Sequence, residues 1–252
     1  MSEILYEELD HGVGRLILNS GSGNPITPSL LETLNSELER IAKDAPRCLV
    51  IDGGEGSIFS GGFALPVIAD WDREEIRAFF GTFLDAIYKI MLMPCSTVAA
   101  INGHTIAGGF ILSLATDLRI VKSGKLKLGL SEVDLGVCVP AGPQVLLAAR
   151  TSEAHALRVG MLGHLFNGEE ALRIGYAADC VEDARAGAVD YATRIAKKPG
   201  HGSSETSRFY SEGLVERVKS ADAQYMEPFL DSWFSEDGQK CIKGLAAKLS
   251  GK

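Results

Sequence analysis

The sequence predicts an α/β fold in which much of the sheet is parallel, followed by a mostly helical C-terminal region. Three observations lead to this prediction. Strand patterns alternate with amphipathic helix patterns over the first two-thirds of the 252 residues. Glycine-rich turns follow two successive strands. Beyond Gly136, helical patterns follow one another with one brief extended piece between them.

The elements of the first two-thirds follow from apolar spacing and from the residues that interrupt it. The helix predicted at 28–43 has leucines and an isoleucine along one face, and Thr27 or Ser29 is expected to cap it. Pro46 and Pro94 each end a helical unit and precede a buried strand. We predict strands at 3–10, 13–19, 47–51 and 96–101, helices at 28–43 and 73–91, a glycine-rich turn at 53–65 and a short link at 66–72.

The C-terminal third is predicted to be helical. The run KKPGHGSS reads as a linker, which divides the chain into a core domain, residues 1–197, and a C-terminal helical region, residues 198–252. The apolar faces of this region are expected to pack on the core or on a neighbouring subunit. We predict helices at 143–150, 152–161, 168–175, 184–197, 204–220 and 222–249, with an extended piece at 180–181.

Composition and charge exclude several functional classes. With 46% hydrophobic and 23% charged residues, the chain is typical of a soluble globular protein. A net charge of −8 gives no support for nucleic-acid binding, although local lysines and backbone amides can still hold an anion. The five cysteines form no CxxC pair, which indicates reduced thiols. No signal-peptide pattern or membrane-spanning apolar run occurs, so we expect a cytoplasmic protein that does not bind membranes.

The stretch 98–135 is the most informative part of the chain. It reads as a strand, a glycine pair (Gly108 and Gly109) that enters an apolar helix, a second strand, and then Glu132. A helix start leaves backbone N–H groups without intrahelical partners, and the glycine turn around Phe63 offers a second set. Two such donors aimed at one point would form an oxyanion hole, with Glu132 as a base. The alternative is that both turns serve only packing. Neither turn carries a dinucleotide or phosphate-loop motif.

Four segments carry a resemblance to a known family: IFSGGFAL, AINGHTIAGGFILSLATDLRIV, LGLSEVDLGV and NGEEALRIGYAADCVED. They resemble the signature segments of the crotonase (enoyl-CoA hydratase/isomerase) superfamily, and the resemblance extends to about Asp183. It implies a crotonase-like spiral core of (ββα)-type units. It also implies an acyl-CoA thioester as substrate, no separate cofactor, and a homotrimer or a hexamer of paired trimers.

The resemblance also implies a set of site residues. Phe63 and Gly108 match the positions whose backbone amides hold the thioester oxygen, and Glu132 matches a catalytic glutamate of the family. Members react beside that carbonyl through an enolate-like intermediate. Two segments depart from the family pattern: the usual aspartate is missing after Phe63, and Asn24-Pro25-Ile26 replaces Asn-Ala-Leu. The positions expected to contact substrate are Gly62, Ala64, Leu65, His104, Gly109 and Ile111.

The carboxylates decide which reaction the resemblance favours. Members that hydrate a double bond generally have two glutamates, and the first of these positions is Ile111 here, which cannot carry a proton. One base is enough to move a proton from C2 to C4, so the pattern favours Δ3,Δ2-enoyl-CoA isomerisation by Glu132. The alternatives are hydration, thioester hydrolysis, decarboxylation, or a non-catalytic homologue that binds coenzyme A.

The sequence also suggests roles for other residues near these motifs. Asp134 would point the same way as Glu132 in extended chain and serve as a second acid, although a surface or capping role is favoured. Ser131 is a candidate for orienting the glutamate, and His104 either contacts substrate or binds backbone. Cys138 is expected to line the acyl pocket as a small apolar residue. The spacing of the remaining histidines predicts no metal site: His155, His164 and His201.

Overall fold

The computed structural model describes residues 3–251 and confirms the predicted α/β fold. The strands run over Ile4–Leu9 (β1), Val13–Leu18 (β2), Cys48–Asp52 (β3), Ile58–Ser60 (β4), Ser96–Ile101 (β5), His104–Ile106 (β6), Leu118–Lys122 (β7), Leu128–Gly129 (β8) and Asp179–Val181 (β9). Six of them form the main sheet, in the order β1-β2-β3-β5-β7-β9. Only the β1–β2 pair of this sheet is antiparallel, so the prediction of a largely parallel sheet is confirmed.

The helices of the core begin at capping residues that the sequence supplies. Thr27 accepts a hydrogen bond from the N–H of Leu30 at 3.0 Å, so it caps the first helix, whereas Ser29 binds the Glu3 carboxylate at 2.6 Å. Asp72 and Glu75 form a capping box on the third helix. The helices are Pro28–Lys43 (α1), Leu65–Ile68 (α2), Arg73–Met91 (α3), Gly108–Leu114 (α4), Ala141–Arg150 (α5), Glu153–Leu162 (α6), Gly168–Arg173 (α7), Ala184–Ala196 (α8), Gly202–Trp233 (α9) and Glu236–Leu249 (α10).

The main sheet separates two hydrophobic clusters. On one face, α8 presents alanines at every fourth position, and their small side chains let the helix lie close to the valines and isoleucine of the central strands. On the other face, α1, α3 and the C-terminal helices form the larger cluster with the opposite side of the same strands. Burial on both faces explains why these strands read as continuous apolar runs.

Three very short strands, β4, β6 and β8, form a second parallel sheet beside the first. The sequence did not predict them: β4 lies in the segment read as a glycine-rich turn, and α2 lies in the segment read as a link. Two or three residues are too few to show an alternating pattern. Close backbone approach between these segments requires glycine, since a Cβ on Gly103 would lie 2.1 Å from the Ser57 carbonyl.

The C-terminal region departs from the prediction in one respect. A helix boundary at residues 220–222 is wrong, because α9 continues through this point to Trp233 and includes Pro228. The break comes at Ser235, whose hydroxyl accepts a hydrogen bond from the N–H of Gly238 and so starts α10. Both helices join the larger hydrophobic cluster of their own chain. Within residues 3–251, no helix combines the length and apolar character that a membrane crossing needs.

Candidate active site

The three sequence motifs meet at one edge of the second sheet. β4, β6 and β8 lie side by side and run parallel, so their carboxyl ends share one edge. β4 ends at Ser60 and leads into Phe63, β6 ends at Ile106 and leads into Gly108, and β8 ends at Gly129 and leads into Glu132. The short strands that the sequence did not predict therefore bring together the three residues that it did.

The turn after β4 lies directly against the start of α4. Gly62 has φ +90°, and a Cβ placed on it would lie 3.0 Å from the Cβ of Ala107 and 3.2 Å from the nitrogen of Gly108. Ile26 fixes this turn from its other side: its N–H donates to the Gly62 carbonyl at 2.8 Å, and its carbonyl accepts from Ala64 at 3.0 Å. The N–H of Phe63, between these two bonds, has no acceptor within residues 3–251.

Ala107 determines the direction of the second N–H group. This residue has φ +51° and ψ −124°, a backbone conformation that residues other than glycine rarely adopt and that costs about 1–3 kcal/mol. Two hydrogen bonds at 3.0 Å hold it there, one from its N–H to the Gly129 carbonyl and one from the Ile111 N–H to its carbonyl. The described part of the chain gives the N–H of Gly108 no acceptor. Strain at this position therefore accompanies a free backbone donor.

The Phe63 side chain anchors the first donor in the core. Its ring packs edge-on against three phenylalanines of α3, with centroids 5.0–6.0 Å apart. A Cβ on Gly108 would lie 3.0 Å from this ring and 3.1 Å from Ile26, so only glycine leaves the ring in place. This packing of the ring is compatible with the prediction that the backbone N–H of Phe63 is the donor.

Glu132 lies in a 3₁₀ turn, Glu132–Leu135, that its own carbonyl stabilises by accepting from the N–H of Val137 at 3.1 Å. The residue is half-buried as a whole, but its Oε2 atom is enclosed and has no hydrogen-bond partner among the residues described. Burial raises the pKa of this carboxyl to about 7, and hydrogen bonds from nearby backbone offset only part of that effect. A carboxyl with this pKa can both take and return a proton near neutral pH.

Ile111 lies in the first turn of α4 and is 1% exposed. Ala64 and Leu65, also predicted to contact substrate, are buried at the start of α2. The last helix, α10, packs against α2 and against the 3₁₀ turn that carries Glu132. The C-terminal helices thus lie against the elements that carry the site.

Two of the remaining candidates lie away from this centre. Asp134 is exposed, which agrees with the surface role that the sequence favoured. The alternative of a second acid required extended chain, whereas the segment is a 3₁₀ turn, in which residues two apart diverge. The Asp134 carboxylate instead lies beside Gly163, where an added Cβ would be 3.0 Å from Oδ2. His104 lies at the opposite end of β6 from Gly108, and its Nδ1 accepts from the N–H of Lys127 at 2.9 Å.

The other two candidates do not contact Glu132 through hydrogen bonds. The hydroxyl of Ser131 makes no capping hydrogen bond to the 3₁₀ turn that follows it. Cys138 is exposed, and its N–H donates to Ser232 on α9 at 3.1 Å. Sequence reasoning missed Ala107 and Ile26. An alanine before two glycines gives no sign of its φ angle, and the bridge from Ile26 depends on contacts between distant segments.

Comparisons with known proteins show the family and the fold of the chain. The family model described as enoyl-CoA hydratase/isomerase matches residues 8–247. A peroxisomal enoyl-CoA delta isomerase from Arabidopsis thaliana is 27% identical over 194 residues, covering 73% of this chain and 79% of the relative. A probable enoyl-CoA hydratase from Mycobacterium tuberculosis is 26% identical over 227 residues, covering 87% and 86%. The human mitochondrial Δ3,Δ2-enoyl-CoA isomerase has the same fold, with a TM-score of 0.91 and 22% identity over 99% of both chains.

Proposed function

Because the chain belongs to the enoyl-CoA hydratase/isomerase family, we propose that it is an isomerase that moves the double bond of a 3-enoyl-CoA to the 2-trans position. The chain is an enzyme of this family, and its relatives include both isomerases and hydratases. One observation carries the choice between them. Glu132 has a carboxyl oxygen, Oε2, that is enclosed and unpaired among the residues described, and the first turn of α4 presents Ile111 rather than a second carboxylate.

The proposed reaction begins at the thioester carbonyl. Its oxygen accepts hydrogen bonds from the N–H groups of Phe63 and Gly108, which have no acceptor in residues 3–251. The C2 proton becomes removable because these fixed donors stabilise negative charge on the oxygen, each by roughly 3–4 kcal/mol. Glu132 takes the C2 proton, and the electron pair left behind forms the enolate.

The second step returns the same proton. As the enolate collapses, the thioester carbonyl re-forms and a double bond forms between C2 and C3. The double bond between C3 and C4 becomes a single bond, and its electron pair takes the proton from Glu132 at C4. A pKa of about 7 suits this double role, since neither protonation state of the carboxyl is strongly favoured at neutral pH. Hydration would also require a positioned water, for which hydratases use a second carboxylate.

The remaining substrate contacts are part of the same proposal. The backbone at Gly62 and Gly109 lets the thioester approach closely, and Ala64, Leu65 and Ile111 provide apolar contacts for the acyl chain. We assign acyl-CoA as the only small molecule required, with no separate cofactor. His104, at the far end of β6 from Gly108, is the weakest member of this set.

The test is an activity assay on two substrates. Purified protein is mixed with a 3-enoyl-CoA or with a 2-trans-enoyl-CoA, and the products are separated and quantified. We expect conversion of the first substrate and little hydration of the second. The Glu132→Gln variant, which keeps the shape but cannot hold the proton, should lose at least 10²-fold in kcat. Efficient hydration by the wild type would favour a hydratase, and coenzyme A binding without turnover would favour a binding protein.

A second pair of variants tests the role of Ile111. Ile111→Glu introduces a carboxyl where hydratases have one, and it should raise hydration relative to isomerisation. Ile111→Leu keeps the volume and apolar character and serves as the matched control. An unchanged product ratio in a folded Ile111→Glu variant would show that this position does not decide the reaction.

A further inference from the structure

Ser60, the last residue of β4, is fully buried and has no part in the reaction described above. Its hydroxyl makes two hydrogen bonds: it donates to the Asn24 carbonyl at 2.8 Å and accepts from the N–H of Gly62 at 3.2 Å. A buried hydroxyl that both donates and accepts is held in one orientation. Ser60 therefore connects the turn after β4 to the loop segment that contains Asn24.

The bond from Gly62 to Ser60 holds one of the two peptide groups that determine the direction of the Phe63 N–H. The N–H of Gly62 belongs to the peptide group that precedes its Cα, and its carbonyl belongs to the next one, together with the Phe63 N–H. Because a peptide group is planar and trans, the Phe63 N–H points away from the Gly62 carbonyl. Ile26 holds that carbonyl at 2.8 Å, and Ser60 holds the N–H on the other side of the Cα.

Gly62 needs support on both sides because its own backbone favours no single direction. Glycine adopts positive and negative φ with similar ease, and Gly62 has φ +90°. Without the Ser60 hydroxyl, the peptide group before Gly62 loses its acceptor and can rotate. The bond from Ile26 alone then has to hold the Phe63 N–H in place.

The partner of Ser60 on the other side is itself fixed. Asn24 is 5% exposed, and its side chain bonds in two directions. Its Nδ2 donates to the Phe59 carbonyl at 3.0 Å, and its Oδ1 accepts from the N–H of Ser20 at 3.1 Å. The carbonyl that accepts from Ser60 thus belongs to an ordered segment, so the Ser60 hydroxyl can transmit that order to the turn after β4.

Ser60 also lies directly against the start of α4, which carries the second donor. A Cβ added to Gly109 would lie 2.5 Å from the Ser60 carbonyl oxygen, 2.6 Å from its Cβ and 2.8 Å from its hydroxyl. Gly109 follows Gly108 in the first turn of this helix. The same serine therefore bonds to the turn of the first donor and packs against the residue next to the second.

We propose that Ser60 is a positioning residue of the oxyanion hole. Its hydroxyl holds the Gly62 N–H and thereby aims the Phe63 N–H at the thioester oxygen. Ser60 acts through Gly62 and not by contact with the substrate. The inference rests on the proposed binding of the thioester oxygen by Phe63 and Gly108, but not on which reaction follows the enolate.

The test measures how fast the C2 hydrogens of hexanoyl-CoA exchange for deuterium in D2O, with mass spectrometry as the readout. This exchange needs an oxyanion hole and a base but no double bond. Ser60→Ala should lower the kcat of exchange about tenfold, since removing a donor altogether costs about 10²–10³. KM should stay within about twofold, because the loosened donor acts mainly on the enolate.

Thr97→Val is the matched control. The Thr97 hydroxyl is also buried, accepts one backbone N–H, from Asp117 at 2.9 Å, and donates once, to the Asp117 carboxylate at 3.0 Å. It lies near the amino-terminal end of β5, away from the edge where the site is formed. Both variants should lose stability in urea, and only Ser60→Ala should lose exchange.

A double variant separates positioning from a general loss of packing. If Ser60 acts through Gly62, adding Ser60→Ala to Gly62→Ala should lower kcat by much less than the product of the two single effects. Multiplicative losses would mean that the two residues act independently, which would overturn the proposed route.

The remaining outcomes distinguish this proposal from the isomerase activity. Exchange by Ser60→Ala within twofold of the wild type, or an equal loss in Thr97→Val, would overturn the positioning role while the isomerase activity stands. A wild type that exchanges C2 hydrogens but does not convert 3-enoyl-CoA would contradict the isomerase alone, and a tenfold loss in Ser60→Ala would still support the positioning role. A wild type that exchanges no C2 hydrogen would overturn the oxyanion hole and this proposal with it.

Discussion

At the scale of single residues, the ionisation of Glu132 should control the rate. Burial raises its pKa to about 7, and a base must be ionised to take a proton. We therefore expect kcat/KM for 3-enoyl-CoA to fall about tenfold for each pH unit below about 7 and to level off above it. The measurement is a pH–rate profile from about pH 5 to 9. A rate that stays constant between pH 5.5 and 8 would contradict the role of this carboxyl as the base.

The same pKa makes Glu132 a source of instability at high pH. Its folded-state pKa lies above the unfolded value of 4.5, so the folded protein binds the proton more tightly. Tighter binding of this proton stabilises the folded state. The stabilisation is complete below about pH 4.5 and is lost as the pH rises through about 7. At pH 8, Glu132→Gln should therefore unfold with a free energy roughly 2–3 kcal/mol higher than the wild type, and at pH 4.5 with nearly the same value.

Urea unfolding at the two pH values measures this difference. The matched control is Asp134→Asn, which changes an exposed carboxylate of the same turn and should leave stability unchanged at both values. A Glu132→Gln variant that is no more stable than the wild type at pH 8 would show that the ionised carboxyl is well solvated. If Glu132→Gln gains stability and loses activity, Glu132 is a residue that serves the reaction at a cost to the stability of the fold.

At the scale of elements, the contact between the β4 turn and α4 should determine activity through one glycine. Gly62→Ala adds a Cβ 3.2 Å from the Gly108 nitrogen and 3.0 Å from the Ala107 Cβ, so the donor must shift. We expect kcat to fall at least about tenfold, since removing a donor of this kind altogether costs about 10²–10³. Gly56→Ala is the matched control: its φ of +110° imposes similar backbone strain, but no atom lies within 4 Å of the added Cβ.

Thermal unfolding and kinetics together separate the two effects of these variants. Both should lose roughly 1–3 kcal/mol of stability from the positive φ, and only Gly62→Ala should lose activity. Equal activity losses in the two variants would mean that backbone strain, rather than displacement of the Gly108 N–H, limits the reaction.

A buried carboxylate joins α3, α5 and α9. Asp222 on α9 accepts from the hydroxyl of Tyr88 on α3 at 2.7 Å and from the N–H of Gly142 on α5 at 2.9 Å. Tyr88→Phe should lower the free energy of unfolding by about 1–3 kcal/mol, because the Asp222 oxygen then lacks its donor. Tyr225→Phe, an exposed tyrosine of α9, should have no effect in the same urea titration. Equal stabilities of the two variants would contradict this link.

The sequence predicted most of the long elements, apart from the boundary placed inside α9, and it did not predict the short strands of the second sheet. α1, α3 and β5 have the predicted bounds, because each shows a full apolar period between clear caps or prolines. The family resemblance located Phe63 and Glu132, yet no periodicity could reveal β4, β6 and β8, which bring these residues together. The φ angle of Ala107 likewise depends on bonds to distant segments rather than on its own side chain.

At the scale of the whole molecule, one hydrophobic cluster connects the core to the C-terminal helices. Phe229 of α9 packs on Phe80 of α3 with ring centroids 4.6 Å apart, and Ile242 of α10 belongs to the same cluster. The sequence left open whether these helices pack on their own chain or on a neighbour, and the structure places them on their own chain. The division at residue 197 stays a prediction, since the shared cluster gives no measure of independent folding.

An exposed apolar face lies on α6. Leu157 and Met161 are 60% and 71% exposed and lie one helical turn apart, with Leu162 beside them at 69%. Large apolar side chains grouped in this way are typical of subunit interfaces. The family resemblance implies a trimer or a hexamer, so we expect the protein to sediment at three or six times the 26.9 kDa mass of one chain, with α6 in the interface.

A charge on this face should break the assembly. Leu157→Glu would place a carboxylate in the interface without a partner, so we expect a monomer in sedimentation equilibrium at micromolar concentration, where the wild type is assembled. Leu249→Glu is the matched control, because Leu249 is 62% exposed at the end of α10 and should tolerate the charge. A wild-type monomer would contradict the predicted oligomer. If the oligomer persists in Leu157→Glu but dissociates in Leu249→Glu, the interface lies on α10 rather than on α6.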